Sequence, residues 1–280
     1  MEKKTHTQEP LTEEEFLELV LAEQENALAE ERRLRQLRAQ GQLPPPRKRR
    51  SLRIIMWTMA IVLLLNAGAL LLQIYSIPAI EFVKVSAVLS QDPTVQLQKE
   101  SVVEIRTTDS KGTGFSVTDD GWIITNAHVV DDALSIAVSF PEHGIYEANV
   151  IAMYPEIDTA FLKVEADQLP FVTLGEAITY TQQEAITFIG NPLAFSGIAN
   201  EGEIVGPLQL AHWPVEVIQI DAPVYKGNSG SPVFNTDGDV IGVVFATIKH
   251  EELSKVGLFV PIDTISYYMP EALKKELDDM

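Results

Sequence analysis

From Ile54 to about Ile77 the chain carries no charged residue. A helix rises 1.5 Å per residue, so about 24 residues reach about 36 Å, enough to cross a bilayer with some tilt. Such a run does not suit a core helix, because no amphipathic face exists to set against a core. Trp57 and Tyr75 fall near its two ends, where interfacial aromatics belong. Arg47, Lys48, Arg49, Arg50 and Arg53 precede it, so a single-pass segment over 54–77 would keep the N-terminus cytoplasmic. Residues after it would lie on the periplasmic or extracellular side of the cell membrane. A cleaved signal peptide is the alternative, with Ala67-Gly68-Ala69 as a small-x-small site and Arg49-Arg50 as a faint twin-arginine pair. Against it, the run continues past Ala69 and the region before it is far too long.

The run splits the chain into a cytoplasmic segment (1–46), a basic flank (47–53), the span (54–77), a tether (78–95), a main domain (96–270) and a charged, loose tail (271–280). In the first segment a helix should begin at Thr12, with Glu15 completing a capping box and Leu11 against Phe16 as a staple. Gly41 and Pro44-Pro45-Pro46 stop it. Leu17, Val20, Leu21, Leu28, Leu34 and Leu37 make an uneven apolar stripe interrupted by Gln24 and Glu31. Two readings stay open: a surface for self-association or a cytoplasmic partner through residues 12–40, including a coiled coil, or a solvated or membrane-surface helix.

The chain has no cysteine, which excludes disulfides and Cys-based metal sites. After residue 78 there are 30 acids against 10 bases, which argues against nucleic-acid binding by that part. From Val102 onward short alternating or apolar runs recur between Gly, Asp, Asn and Pro, the pattern of an all-β domain. Asp120-Gly121 and Asp237-Gly238 are the clearest hairpin turns. Strand counting alone allows two barrels or a sandwich.

Between apolar runs 215–220 and 240–246 lies Asp221-Ala222-Pro223-Val224-Tyr225-Lys226-Gly227-Asn228-Ser229-Gly230-Ser231-Pro232. A serine hydroxyl that attacks a carbonyl must stand on a tight loop, with a base in reach and backbone N–H groups converging on the oxyanion. Gly227 and Gly230 supply the backbone freedom for such a loop. Taken alone, Gly-Asn-Ser is equally ordinary turn chemistry. Two further stretches shift the balance. Thr125-Asn126-Ala127-His128-Val129-Val130 follows an apolar strand, and Asp158 opens another at Thr159-Ala160-Phe161-Leu162-Lys163-Val164. Asp158 at a core edge needs a partner, and His128 is a sufficient one. His6, His143, His212 and His250 sit among polar or turn residues and read as solvated.

The order His, Asp, Ser at these intervals resembles the trypsin-like serine peptidases, and most closely their HtrA/Deg branch. The resemblance covers roughly residues 96 to 270. It includes Gly112-Thr113-Gly114-Phe115, Ile189-Gly190-Asn191-Pro192, Gly202-Glu203-Ile204-Val205 and Phe259-Val260-Pro261. It implies two six-stranded antiparallel β-barrels with the site in the cleft between them. It also implies a serine endopeptidase acting on protein or peptide substrates. Ser229 would be the nucleophile, His128 the general base and Asp158 the residue that orients it. Gly227, Asn228 and Ser229 would form the oxyanion loop. In such enzymes that cut after Lys or Arg, an Asp lies six residues before the nucleophile. Here that position is Pro223, and the rear wall falls at Phe245, Ala246 and Thr247. The pocket should therefore take a small or medium apolar side chain. Ser231 stands where a third glycine is common, and no PDZ domain is expected after residue 270. No metal or other cofactor is called for. An inactive or weakly active binding or sensing module of the same fold is the other reading.

Overall fold

The computed structural model describes residues 13–42, 50–74, 77–175, 180–251 and 253–280. The chain divides into two compact units, residues 1–69 and 70–280. In the first, helix α1 spans Glu13–Ala39 and helix α2 begins at Arg50 and runs to Ile74. In α1, Leu17, Val20, Leu21 and Leu28 are exposed, while Leu34 and Leu37 are half-buried. Arg35 bonds Glu31 one turn back at 2.8 Å. The expected capping box and staple lie outside the described residues. Along α2, Ile54, Trp57, Leu63 and Leu64 are exposed. Among the described residues no helix is long and apolar enough to cross a membrane, the described side chains of α2 running only from 53 to 69.

Where a tether was expected, the second unit opens with two helices, α3 (Ile77–Leu89) and α4 (Pro93–Ser101). Helix α4 has a local cause: Asp92 accepts the N–H of Thr94 at 2.8 Å and Pro93 occupies its first turn, the arrangement that best starts a helix.

Twelve strands follow among the described residues. The first barrel takes β1 (Val102–Arg106), β2 (Lys111–Ser116), β3 (Trp122–Thr125), β4 (Ala137–Phe140), β5 (Gly144–Tyr154) and β6 (Thr159–Val164). They close antiparallel in the order β1-β2-β3-β6-β5-β4. The second takes β7 (Ala185–Gly190), β8 (Ile198–Gln209), β9 (Glu216–Asp221), β10 (Pro232–Phe234), β11 (Val240–His250) and β12 (Ser254–Pro261). These close in the order β10-β11-β12-β9-β8-β7. Closure removes exposed sheet edges, and it selects two barrels over a sandwich. Strand β8 is longer than the expected Glu203–Val205, because Gly206-Pro207 reads as a breaker. In the fold it forms a bulge between Ile204 and Gly206, beyond which pairing with β9 resumes.

Each barrel has its own core, Val103, Ile105, Ile123, Val138 and Leu162 in the first and Ile186, Phe188, Ile218, Ile241 and Phe259 in the second. A third cluster joins them: Phe115, Ile124 and Phe161 from one side meet Ile189, Phe234, Val243 and Leu258 from the other. Strand β2 is buried on both faces from Gly112 onward, because one face fills its own barrel and the other meets the second. Helices α6 (Ile262–Tyr268) and α7 (Glu271–Asp279) follow β12. The expected loose tail is thus a helix. Leu273 is fully buried, Leu277 packs against the same cluster, and Trp122 Nε1 donates to Glu276 at 3.0 Å. The spacing i, i+4 puts both leucines on one face.

Candidate active site

Strand β3 pairs with β6 so that Thr125 faces Ala160. The residues just past β3 and just before β6 therefore meet at one rim. A single helical turn, α5 (Ala127–Val130), carries His128 outward while Ala127 and Val129 are buried. A 3-10 turn, Pro155–Ile157, delivers Asp158 in the left-handed region at φ 49°. An Asp tolerates that conformation better than a branched residue. Asp158 Oδ1 accepts the backbone N–H of His128 at 2.9 Å. Oδ2 lies 2.6 Å from the ring Nδ1. Asn126 Nδ2 donates to the Asp158 carbonyl at 2.9 Å. Both carboxylate oxygens thus hold one histidine, and a carboxylate can only accept, so Nδ1 carries the proton and Nε2 is left as the basic nitrogen. The hydrogen bond to Asp158 raises the His128 pKa above its ordinary 6.5, with burial opposing and the Asp158 charge assisting.

Ser229 comes from the second barrel. Asn228 N–H donates to Tyr225 C=O at 3.0 Å and Ser231 N–H to Asn228 C=O at 3.0 Å. These are two successive turns, with Gly227 at φ 101° and Gly230 at φ 85° in their third positions. Both positions need positive φ, which explains the Gly-Asn-Ser-Gly spelling. The loop is fastened to the first barrel by Thr113. Its N–H donates to Ser229 C=O at 2.8 Å. Its hydroxyl donates to Gly227 C=O at 2.7 Å and accepts the N–H of Asn191 at 2.9 Å. Gly112 lies between the His128 and Ser229 segments: a Cβ there would meet Val129 methyls at 2.7 Å and Ser229 O at 3.3 Å. The Ser229 hydroxyl makes no hydrogen bond among the described residues. The His128–Asp158 link is formed and a Ser229–His128 bond is not.

The Lys226 carbonyl accepts the N–H of Leu193 at 2.9 Å. In a planar trans peptide the carbonyl and the following N–H point opposite ways, so Gly227 N–H is turned away from Leu193. Neither it nor Ser229 N–H has a partner among the described residues. Two unspent donors therefore flank Asn228, whose own side chain is buried.

Beside Ser229 lies a cavity of about 300 Å³. Phe245, Ala246 and Thr247 line it as expected, together with Val224, Tyr225, Lys226, Val244 and Lys255. Pro223 does not line it; that residue is exposed. Its neighbour Val224 turns inward instead, tight against Gly257, where an added Cβ would meet a Val224 methyl at 2.7 Å. Among the described residues no carboxylate lines the cavity. Sequence reasoning missed Thr113 as a clasp, Tyr225, and Lys255. The first lay within the Gly112-Thr113-Gly114 motif, but nothing local signals a partner 114 residues away.

Two barrels with a His–Asp pair on one and a serine loop on the other define the architecture of a trypsin-like peptidase. Residues 112–243 match the family model described as a trypsin-like peptidase domain. The chain's relatives include HtrA and DegP proteins. The chain is 40% identical over 142 residues to the probable periplasmic serine endoprotease DegP-like of Chlamydia muridarum, covering 50% of this chain and 29% of that one. It is 35% identical over 173 residues to the mitochondrial serine protease HTRA2 of Bos taurus, 59% and 37% of the two chains. It thus spans about a third of the length of these relatives. Among solved structures it superimposes on the inactive form of Rv3671c from M. tuberculosis with TM-score 0.57 at 25% identity, over 64% of this chain and 90% of that one.

Proposed function

We propose that this chain is a serine endopeptidase of the HtrA/DegP kind. Ser229 Oγ attacks the scissile carbonyl carbon while His128 Nε2 takes its proton. The carbonyl π electrons move onto oxygen, and the N–H groups of Gly227 and Ser229 receive that charge. The C–N bond then breaks, with His128 returning the proton to the leaving amine, and water repeats the sequence to release the acyl group. Asp158 keeps the ring in the required tautomer and stabilises the imidazolium. The observation that carries this reading is the double hold of Asp158 on His128, 2.9 and 2.6 Å, facing a loop with two unspent N–H donors. The cavity, lined by Val224 and Val244 and by no carboxylate among the described residues, supports cleavage after small or medium apolar residues of protein and peptide substrates.

Membrane anchoring is part of the proposal. It rests on the uncharged run and basic flank, on α2, and on the periplasmic naming of DegP-like relatives. A reporter inserted before Arg47 should read cytoplasmic and one within 78–95 external; the reverse pattern would invert the assignment. For the activity, a fluorophosphonate probe should label the full chain and leave Ser229→Ala unlabelled. The absence of a Ser229–His128 bond favours one alternative, a resting or inactive module of the same fold. Equal, negligible labelling of both proteins would select it.

A further inference from the structure

Helix α3 lies along β8 and reaches the serine loop. Phe82 is 2% exposed. Its ring meets Tyr225 at 5.2 Å between centroids and Phe195 edge-on at 5.7 Å, and Ile198 closes the cluster. One turn further, Ser86 Oγ accepts the N–H of Ala199 at 3.0 Å, which fixes the helix on β8. The two aromatic partners belong to the two segments that set the Lys226–Gly227 peptide. Tyr225 precedes Lys226 directly. Phe195 lies two residues beyond Leu193, the residue whose N–H holds the Lys226 carbonyl at 2.9 Å. Leu193 is itself 41% exposed, so no burial of its own anchors it.

We propose that Phe82 is a positioning residue for the oxyanion hole: its ring joins Phe195 to Tyr225 and so keeps the Leu193–Lys226 bond closed and Gly227 N–H turned to the cleft. Without the ring, that bond faces competition from water, and the 226–227 peptide can rotate its carbonyl toward the cleft. Turnover then falls in proportion to the competent population. Substrate binding in the pocket is affected less, because, of its lining residues, Tyr225 packs on Phe82 whereas Val224, Val244 and Phe245 are not in that cluster. The inference rests on the peptidase reading above and goes beyond it. It makes the helix that follows the apolar run part of the catalytic geometry.

The test uses the full chain, a quenched-fluorescent peptide with Val before the cut bond, and a peptide boronate whose tetrahedral adduct needs the oxyanion donors. Phe82→Ala should lower kcat by about tenfold with KM within about twofold, and weaken boronate inhibition by a similar factor. Phe82→Leu, which keeps most of the packing, should lose only about threefold. Leu273→Ala, buried on α7 away from both segments, serves as the stability control and should keep kcat at temperatures where it is folded. Folded Phe82→Ala with kcat within about twofold of the parent would overturn the proposal, as would an equal loss in Leu273→Ala at matched folded fraction. Should Phe82→Ala not fold, a fully active Phe82→Leu would overturn it and the threefold loss at unchanged KM would support it. An inactive parent chain would overturn this and the peptidase reading together, whereas an active parent with active Phe82→Ala removes this inference alone.

Discussion

Replacing Thr113 by Val keeps the shape of the side chain and removes one oxygen. That oxygen donates to Gly227 C=O at 2.7 Å and accepts the N–H of Asn191 at 2.9 Å, and Thr113 is fully buried. The variant leaves two buried groups without a partner. Each costs about 1–3 kcal/mol, but Gly227 borders a cleft that water can enter, so the sum should lie near 2–4 kcal/mol. For a domain of this size each kcal/mol moves the midpoint by about 2–4 °C, so Tm should fall by roughly 4–16 °C. The Gly227 peptide also loses its clasp, and kcat should fall by at least about tenfold, toward the loss seen when one oxyanion donor is removed. Thr113→Ser retains the oxygen and should recover most of both effects. Near-UV circular dichroism melts and peptide hydrolysis at pH 7 measure the two. If Thr113→Val melts within about 2 °C of the parent and keeps its kcat, the clasp is not what holds the loop, and the reasoning from unsatisfied buried groups fails at this site.

Three further outcomes follow from the same geometry. His128 has its pKa raised by the Asp158 hydrogen bond, so kcat/KM should climb through an apparent pKa above 6.5 and still be rising at pH 7; a profile flat from pH 5 upward would count against His128 as base. By linkage the raised pKa contributes stability that is full below about 6.5 and is lost as pH rises through the folded value, so Asp158→Asn should lower Tm more at pH 5.5 than at pH 8.5. Lys226 and Lys255 line the cavity and Lys249 faces Lys255 across β11 and β12, none with an ion-pair partner among the described residues. Cleavage after Val or Ala should exceed cleavage after Lys or Arg by well over tenfold in a peptide-library profile. Lys226→Gln with Lys255→Gln should narrow that gap, and a Lys or Arg preference in the parent would refute the pocket assignment.

Much of this fold was readable in order along the chain because its signals are local. Trp122–Thr125 and Thr159–Val164 are apolar runs at strand length, and Asp120-Gly121 and Asp237-Gly238 mark turns whose glycines have φ 99° and 93°. His128 and Asp158 stand just outside strand ends, where a loop residue can be held rigidly. What escaped reading depends on partners distant in sequence. Helix α3 has no period of its own, and Phe82 becomes informative only when Phe195 and Tyr225 meet it. Pro223 and Val224 differ by one position, and which of them faces the cavity is decided by Gly257 on another strand. The α7 helix looked like a charged tail because two leucines among acids and lysines are a weak signal until a barrel surface is there to bury them.

Strand β12 closes the second barrel by pairing with both β11 and β9, and it carries Lys255 at the cavity wall and Gly257 behind Val224. It is also the last strand of the two barrels to be synthesised. A ribosome has already made His128, Asp158 and Ser229 when this strand is still missing, and at that moment β9 and β11 each present an open edge. On the peptidase reading proposed above, the growing polypeptide carries all three of these side chains and yet stays silent until Pro261 has emerged. Chain length acts as the timer of activity, and the short interval before closure is when the product is most exposed to aggregation.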